Sequence, residues 1–270
     1  MPSISTRAGE ISYAVQGKGQ PIIMLHATLH DGHDYETIAA RLAERYQTIT
    51  VDWPWHGSSK GVSTFENLNA VGFANVLEDF VSGLSIEPAI FIGNSVGGFA
   101  AARLAINRPE SVRGLVLVNT GGFVDWNLFS RLVTRMLGFA TVSRIVMPHL
   151  VRRYMSPQTS HDEEITRRAA ARAGTVEGAK AAAALWRSFL DDGHDLRPRA
   201  KDMKTPVLLV WGTRDPIFPL SAGQAAHRYI PGSRLEPFDA GHVVFSSKPD
   251  HFLEVVEPFI ESTVTADQQT

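Results

Sequence analysis

The sequence predicts an α/β fold: a mostly parallel central sheet of about eight strands, with helices on both faces and an inserted helical cap. Short apolar runs bounded by Gly, Pro, Asn or Asp alternate with longer helical patterns along most of the chain. Continuous apolar runs of this length are typical of strands buried on both faces. The 270 residues, 44% of them hydrophobic, are enough to bury a sizeable core.

Six apolar runs are predicted to be strands of this sheet, and they occupy residues 21–27, 48–52, 88–94, 114–120, 205–212 and 233–239. The segments "ISTR" and "EISYAVQG", separated by Ala8 and Gly9, predict an antiparallel hairpin at one edge. Helical patterns fall between the strands, at 35–45, 65–83, 96–107, 220–229 and 250–262. Strand alternating with helix indicates a parallel sheet covered on both sides.

One interval breaks this alternation, because residues 123–201 contain helical patterns and no strand-like run. We interpret 123–201 as a helical cap domain, and 1–122 with 202–270 as the core domain. The cap carries 13 Lys or Arg and 8 Asp or Glu, a net charge of +5, whereas the remainder has a net charge of −7. Two interpretations stay open: solvated Arg-rich helices, or a cap that favours anionic substrates.

Composition excludes several classes of function. The net charge of −2 gives no general attraction to nucleic acid or to an anionic membrane. The chain has no cysteine, which excludes disulfides and thiolate metal sites. Neither a signal peptide nor a membrane-spanning run is visible, so a cytoplasmic protein is expected. The expected partner is a small-molecule substrate, with a homo-oligomer possible, and no cofactor is expected.

The most informative stretch is "AIFIGNSVGGF", in which an apolar strand leads through Gly93-Asn94-Ser95-Val96-Gly97 into a helix. The G-x-S-x-G pattern between a strand and a helix is typical of a nucleophile elbow. The sharp reversal exposes the central serine hydroxyl and leaves no room for side chains two positions away on either side. Ser95 is therefore the predicted nucleophile, and the Val96 N–H lies at the helix start, where unpaired amides favour negative charge.

A serine hydroxyl needs a base, and the base needs an orienting acid. In the fold that carries this elbow the chain order is Ser, then Asp or Glu, then His. Asp215 follows the predicted strand "VLLVWG" and His242 follows the last predicted strand. Both positions lie beyond strand carboxyl ends, where α/β sheets gather functional groups. Asp125 and Asp239 are weaker alternatives for the acid, and Asn119 cannot carry the charge.

On these motifs the chain resembles the α/β-hydrolase fold superfamily over nearly its whole length. It is most similar to small serine hydrolases: carboxylesterases, enol-lactone hydrolases and the carbon–carbon hydrolases of aromatic ring-cleavage products. The "GNS-x-GG" elbow suggests the last group in particular. The stretch "PIIMLHATLHDGHDY" resembles the family's strand followed by His-Gly-x. The resemblance implies that the backbone N–H of Thr28 joins that of Val96 in the oxyanion hole. Ala27 departs from the family's glycine.

The same stretch holds three histidines and two aspartates, His26, His30, His33, Asp31 and Asp34. His26 is expected to brace the loop through backbone hydrogen bonds, and Asp34 is a candidate helix cap. A metal site is the alternative, although the spacing matches no helical metal-binding motif.

The predicted substrate-binding residues are Ala27, Trp55, Asn94, Trp186 and Val243. Trp55 replaces a glycine of the family pattern and is either a surface aromatic or a pocket wall. A few apolar residues of the cap are expected to line a largely apolar pocket over Ser95.

The predicted function is a cofactor-independent serine hydrolase that cleaves an ester or lactone of a small, largely apolar substrate through an acyl-enzyme. Three alternatives stay open: carbon–carbon hydrolysis of aromatic ring-cleavage products, perhydrolase or haloperoxidase activity, and a ligand receptor on this fold with slow turnover. Serine at the elbow disfavours dehalogenase and epoxide hydrolase chemistry, because those relatives use a carboxylate nucleophile.

Overall fold

The computed structural model describes residues 1–61 and 69–266, and its described strands form one sheet of eight. In chain order the strands are β1 (Ser3–Thr6), β2 (Gly9–Gln16), β3 (Pro21–Leu25), β4 (Gln47–Val51), β5 (Ala89–Asn94), β6 (Val112–Val118), β7 (Val207–Gly212) and β8 (Arg234–Phe238). Their order across the sheet is β1-β2-β4-β3-β5-β6-β7-β8. Both pairings of β2 are antiparallel and the other pairings are parallel, which confirms the predicted sheet and its edge hairpin.

The helices cover both faces of the sheet. They are α1 (Glu36–Leu42), α2 (Ala70–Leu84), α3 (Val96–Asn107), α4 (Leu128–Leu137), α5 (Ala140–Met155), α6 (Ser160–Ala173), α7 (Val176–Ser188), α8 (Leu220–Tyr229), α9 (Val244–Ser247) and α10 (Pro249–Ala266). The bounds predicted for α3 and α8 are confirmed. Residues 65–68 of the helix predicted at 65–83 lie outside the described residues.

Successive residues of the central strand β3 enter opposite halves of the core, as the period of two along a strand requires. Ile23 and Leu25 belong to a buried cluster with α2 and α3, whereas Ile22 and Met24 belong to another with α1 and α10. Burial on both faces explains why β3 reads as a continuous apolar run in the sequence.

Four α-helices, α4 to α7, lie between β6 and β7 and are called the inserted helices below. Arg172 of α6 ties them to the loop after β3. Its guanidinium donates to the carbonyls of Leu29 and His30, each at 2.7 Å, and to the Asp31 carboxylate at 2.8 Å. Burial of Asp31 opposes its ionisation, but the hydrogen bond and charge of Arg172 hold the pKa of this carboxyl far below its usual range. Arg168 pairs with the same carboxylate.

The described helices include none that combines the length and apolar composition required to cross a bilayer.

Three glycines let α3 approach the sheet closely where β5 turns into it. A Cβ on Gly97 would lie 2.2 Å from the Leu25 carbonyl oxygen, and a Cβ on Gly93 would lie 2.6 Å from the Gly97 carbonyl oxygen. A Cβ on Gly98 would lie 2.5 Å from Thr120 Oγ1. These separations are shorter than atomic contact permits, so the turn accepts only glycine without a backbone shift.

We expect Gly97→Ala to lower the free energy of unfolding by about 1–3 kcal/mol, because its methyl group must displace the backbone of β3. Gly174→Ala is the matched control, since its Cβ would lie no closer than 3.5 Å to a neighbour and Gly174 has a right-handed φ of −76°. Urea denaturation of both variants measures the difference. Equal stability of the two variants would contradict the packing described.

Candidate active site

Ser95 lies at the point where β5 ends and α3 begins. Its backbone has φ 56° and ψ −115°, outside the regions that non-glycine residues prefer, and such strain is concentrated at functional sites. The Ser95 N–H donates to the Val118 carbonyl, and the Ser95 carbonyl accepts from the Phe99 and Gly121 N–H groups. The neighbouring strand and helix thus hold the strained residue in place.

Asp215 and His242 form a buried pair beyond the carboxyl ends of β7 and β8. The two atoms closest to each other, Asp215 Oδ2 and His242 Nδ1, lie 2.5 Å apart. The Ile217 N–H donates to Asp215 Oδ1 at 2.8 Å. This arrangement places the proton of the imidazole on Nδ1 and leaves Nε2 able to accept another.

Asn119 supplies a further hydrogen bond to the Asp215 carboxylate. It follows β6 with φ 41°, its Nδ2 donates to Asp215 Oδ2 at 2.7 Å, and its Oδ1 accepts from the Gly212 N–H at 2.8 Å. Sequence reasoning rejected Asn119 as the acid and assigned it no other role. A polar residue at the end of a strand adjacent to the Asp215 strand was the signal that could have revealed this contact.

Ser95 and His242 line one cavity of about 40 Å³, which holds a few water molecules at most. The described hydrogen bonds do not include a direct one from Ser95 Oγ to His242 Nε2. In unliganded enzymes such hydrogen bonds are often long and shorten on substrate binding. The His242 backbone is fixed on both sides, because its N–H donates to the Tyr154 carbonyl and its carbonyl accepts from Asn94 Nδ2.

A larger cleft of about 440 Å³ adjoins this cavity. Four residues line both spaces and separate them: Trp186, Phe189, Ile217 and Phe218. These four side chains therefore stand between the cleft and the cavity that holds Ser95.

The predicted oxyanion residues lie at the ends of β3 and β5. Thr28 lines the cavity, and its buried Oγ1 has no hydrogen-bond partner among the described residues. The next N–H along the chain, that of Leu29, donates to His56 Nε2 at 3.0 Å and is already used. Val96 is the first residue of α3, where a backbone N–H has no partner within the helix.

Of the predicted substrate-binding residues, Ala27 and Trp186 line the cavity, whereas Trp55, Asn94 and Val243 are not among its lining residues. The Asn94 amide points to the backbone, donating to the carbonyls of Val118 and His242. Val243 is wholly buried in the core. Trp55 is part of a surface loop, where its indole contacts Gly61. The positions of these residues in the sequence predicted that they lie near Ser95, but they could not predict the direction in which each side chain points.

The histidines and aspartates after β3 have separate structural partners. His26 braces the loop as expected, since its Nδ1 lies 2.7 Å from the Ala27 carbonyl and its Nε2 accepts from the Trp53 N–H. Asp34 does not cap α1 as expected, because the N-cap of α1 is Tyr35 and no side chain caps it. Asp31 caps the 3₁₀ turn Gly32–Tyr35 before α1 by accepting from the His33 N–H. The residues that the structure describes contain no group of three or more His, Cys, Asp or Glu arranged to hold a metal ion.

Several residues of the cavity were not singled out from the sequence as site residues, among them Tyr154 of α5 and Leu29. Tyr154 enters the cavity from the inserted helices, and no sequence pattern linked position 154 to Ser95. Only the packing of α5 over the carboxyl edge of the sheet brings them together.

A family model for the "Alpha/beta hydrolase family" matches residues 22–255 of the chain. The chain belongs to this family. It is 31% identical to the pimeloyl-[acyl-carrier protein] methyl ester esterase of Nitrosomonas europaea, with 88% of this chain and 94% of the relative covered. It is 26% identical to the 2-hydroxy-6-oxo-6-phenylhexa-2,4-dienoate hydrolase of Comamonas testosteroni, with 93% and 91% covered.

Among solved structures, the esterase EaEST from Exiguobacterium antarcticum is similar in fold. The TM-score is 0.81 at 21% identity, with 96% of this chain and 98% of that chain covered. The chain is thus a hydrolase of the α/β hydrolase family, and the geometry around Ser95 defines its candidate active site.

Three buried histidines make the stability of this protein dependent on pH. Burial lowers the pKa of His26 to about 3 and that of His194 to about 4, and it lowers the pKa of His56 well below its usual value. In the unfolded chain each imidazole binds its proton near pH 6.5. The unfolded state therefore binds more protons below that pH, and the folded state loses stability as the pH falls from about 6.5 towards 4.

We expect the free energy of unfolding to fall between pH 7 and pH 5 by about 2 kcal/mol for each of these histidines. Urea denaturation at the two pH values measures the fall. His194→Gln should reduce it, because the amide does not titrate. His33→Asn should leave the fall unchanged, since His33 is exposed. A stability that is equal at both pH values would contradict the burial of neutral imidazoles.

Proposed function

We propose that this protein is a serine hydrolase that cleaves an ester or lactone through Ser95, His242 and Asp215. One observation carries the proposal: Ser95, on a strained elbow, and the His242 imidazole line the same cavity, and the buried Asp215 carboxylate bonds to Nδ1 of that imidazole. Such a set can remove a proton from the serine and return it to the leaving group.

In the proposed reaction, His242 Nε2 takes the proton of Ser95 Oγ as the oxygen attacks the substrate carbonyl. Asp215 stabilises the imidazolium and keeps Nδ1 protonated, and Asn119 with Ile217 fixes that carboxylate. His242 then protonates the leaving alcohol. Water, activated by the same imidazole, releases the acid from the acyl-enzyme and restores Ser95.

The oxyanion that forms in this reaction is proposed to bind the N–H groups of Thr28 and Val96. Thr28 lies in the loop after β3, and Val96 follows Ser95 at the end of β5, the strand that pairs with β3. The Leu29 N–H is engaged with His56, which favours Thr28 as the donor from the loop after β3. Donors fixed before the reaction stabilise the developing charge without reorganisation.

The proposed substrate is small and largely apolar where it enters the cavity. Most of the lining side chains there are apolar, among them Leu29, Met147, Leu185, Trp186 and Phe218. We further propose that residues 123–201 act as a cap, because Met147, Leu185 and Trp186 belong to the inserted helices and cover Ser95. The cleft beside the cavity would then admit the substrate past Trp186 and Phe218.

Carbon–carbon hydrolysis is the second candidate function. It is favoured by the similarity to the dienoate hydrolase of Comamonas testosteroni, which matches the chain over most of its length. Turnover of a ring-cleavage dienoate at a rate far above that of simple esters would favour this candidate over ester hydrolysis.

We expect Ser95→Ala to abolish hydrolysis of p-nitrophenyl acetate, with a fall in kcat of at least about 10³-fold, because the nucleophile is lost. Ser246→Ala is a control outside the cavity. Ser246 is also buried, but it bonds to Asp162 and to the Val243 carbonyl. Hydrolysis by purified Ser95→Ala at the rate of the unsubstituted protein would contradict the proposal.

Thr28→Val tests the hydroxyl beside the proposed oxyanion donor. Thr28 Oγ1 is buried and unpaired, so it can donate to the oxyanion alongside the backbone N–H. We expect Thr28→Val, which keeps the shape of the side chain, to lower kcat by about tenfold to a hundredfold. Thr28→Ser keeps the hydroxyl and should retain most of the activity. Equal rates for the Val and Ser variants would exclude a role for the hydroxyl.

A further inference from the structure

A second buried chain of carboxylate, imidazole and hydroxyl ends at the same cavity as Ser95. Asp34 Oδ2 lies 2.5 Å from His30 Nδ1, and His30 Nε2 lies 3.0 Å from the Tyr154 hydroxyl. His30 and Asp34 are 2% and 4% exposed, and Tyr154 lines the cavity. None of these three side chains has a part in the proposed ester cleavage.

The partners of His30 decide which way its hydrogen bonds run. The Asp34 carboxylate can only accept, so Nδ1 of His30 carries a proton, and in the neutral form of the imidazole Nε2 then carries the lone pair. The Tyr154 O–H therefore donates to Nε2. Burial and the charges of Asp34 and Asp215 raise the pKa of the Tyr154 phenol, so the hydroxyl stays protonated and keeps this bond.

A phenol hydroxyl that donates a hydrogen bond to one partner still has lone pairs on its oxygen that can accept a hydrogen bond from another. In Tyr154 this oxygen belongs to a side chain that lines the cavity, and the Tyr154 ring meets the His242 ring edge-on with centroids 5.1 Å apart. The other side chains of the cavity that carry hydroxyl or imidazole groups are Thr28, Ser95 and His242, all placed in the proposed reaction. Among the described lining residues, Tyr154 thus supplies the hydrogen-bond acceptor that remains for substrate recognition, whereas the Trp186 indole can only donate.

The energetic cost of burying Asp34 and His30 favours a role in substrate recognition over a role in holding the inserted helices to the loop after β3. A buried carboxylate is costly unless it is paired and hydrogen-bonded, and α6 already ties the inserted helices to this loop through Arg172. A substrate hydroxyl inside an apolar cavity would lose its hydrogen bonds to water without replacement. An oriented acceptor at Tyr154 removes that penalty for a substrate that carries a donor in its acyl part.

We propose that Tyr154, oriented by the Asp34–His30 pair, is the specificity-determining residue that accepts a hydrogen bond from a hydroxyl group on the acyl part of the substrate. This inference rests on the proposed ester hydrolysis and names the class of acyl group that it acts on: hydroxyacyl esters. Tyr154 is the binding residue, and His30 and Asp34 are positioning residues that act through it.

Four methyl esters test the proposal: butyrate, 2-hydroxybutyrate, 3-hydroxybutyrate and 3-oxobutyrate. The oxo group is the matched probe, because it occupies the place of a hydroxyl but can only accept. We expect kcat/KM for at least one hydroxy ester to exceed that for butyrate and for the oxo ester by about tenfold, the effect of a single buried hydrogen bond. Acid release at constant pH measures all four rates.

In Tyr154→Phe, the ratio of kcat/KM between the preferred hydroxy ester and butyrate should fall to about one. The loss should appear mainly in KM for the hydroxy ester, because the bond is present in both the ground state and the transition state. Tyr229→Phe is the matched control. It also removes a hydrogen-bonded tyrosine hydroxyl, one that donates to the Asp125 carboxylate, but Tyr229 is not among the residues that line this cavity, so the ratio should not change.

Asp34→Asn tests whether the Asp34–His30 pair orients the Tyr154 hydroxyl. The expected change in substrate preference would not result from a loss of stability. An amide at position 34 can donate to Nδ1 and reverse the tautomer of His30, as the equivalent change does in the trypsin triad. The Tyr154 O–H would then be free to donate, so the oxo ester should gain relative to butyrate, whereas the hydroxy ester, whose oxygen can also accept, should keep its preference.

Three results would overturn the inference alone: Ser95-dependent hydrolysis of butyrate with no preference for either hydroxy ester, a preference that survives in Tyr154→Phe, or a preference of the unsubstituted protein for the oxo ester. The lack of any Ser95-dependent turnover of the four esters would instead contradict the proposed function, and the inference with it.

Discussion

The approach of α3 to the central sheet is the constraint on which the rest of this structure depends. Gly97 allows the first turn of α3 to meet the backbone of β3, and Gly93 allows the chain to reverse within a few residues. The reversal forces Ser95 into a positive φ and sends its hydroxyl into the cavity above the sheet. The position of the Ser95 side chain at the cavity therefore follows from backbone packing.

The parallel sheet brings the other groups to the same edge. Strands β3, β5, β6, β7 and β8 are adjacent and run in one direction, so the loops after their carboxyl ends converge. Thr28, Ser95, Asn119, Asp215 and His242 each follow one of these five strands. Residues that are more than 200 positions apart in the chain thus share one site.

The sequence was sufficient to predict what depends on periodicity and on short-range turn chemistry. The apolar runs of β3, β5 and β7 are continuous because these strands are buried on both faces, and the elbow glycines lie within five residues of one another. The contact of Asn119 with Asp215 could not be predicted in the same way, because the two residues are 96 positions apart and the amide has no charge to mark it. Asp34 was misassigned as a cap because the chain forms a 3₁₀ turn, Gly32–Tyr35, before α1, so Asp34 lies within that turn and bonds to His30. Tyr154 was missed because its approach to Ser95 depends on how α5 packs over the sheet.

We propose that His242 makes the Ser95 hydroxyl a nucleophile. Covalent labelling by a fluorophosphonate probe, read by mass spectrometry of the intact protein and its peptides, reports the site and extent of that reactivity. We expect one adduct per chain, on the peptide that contains Ser95, and a loss of labelling in His242→Ala. Labelling at another residue, or undiminished labelling of Ser95 in His242→Ala, would contradict it.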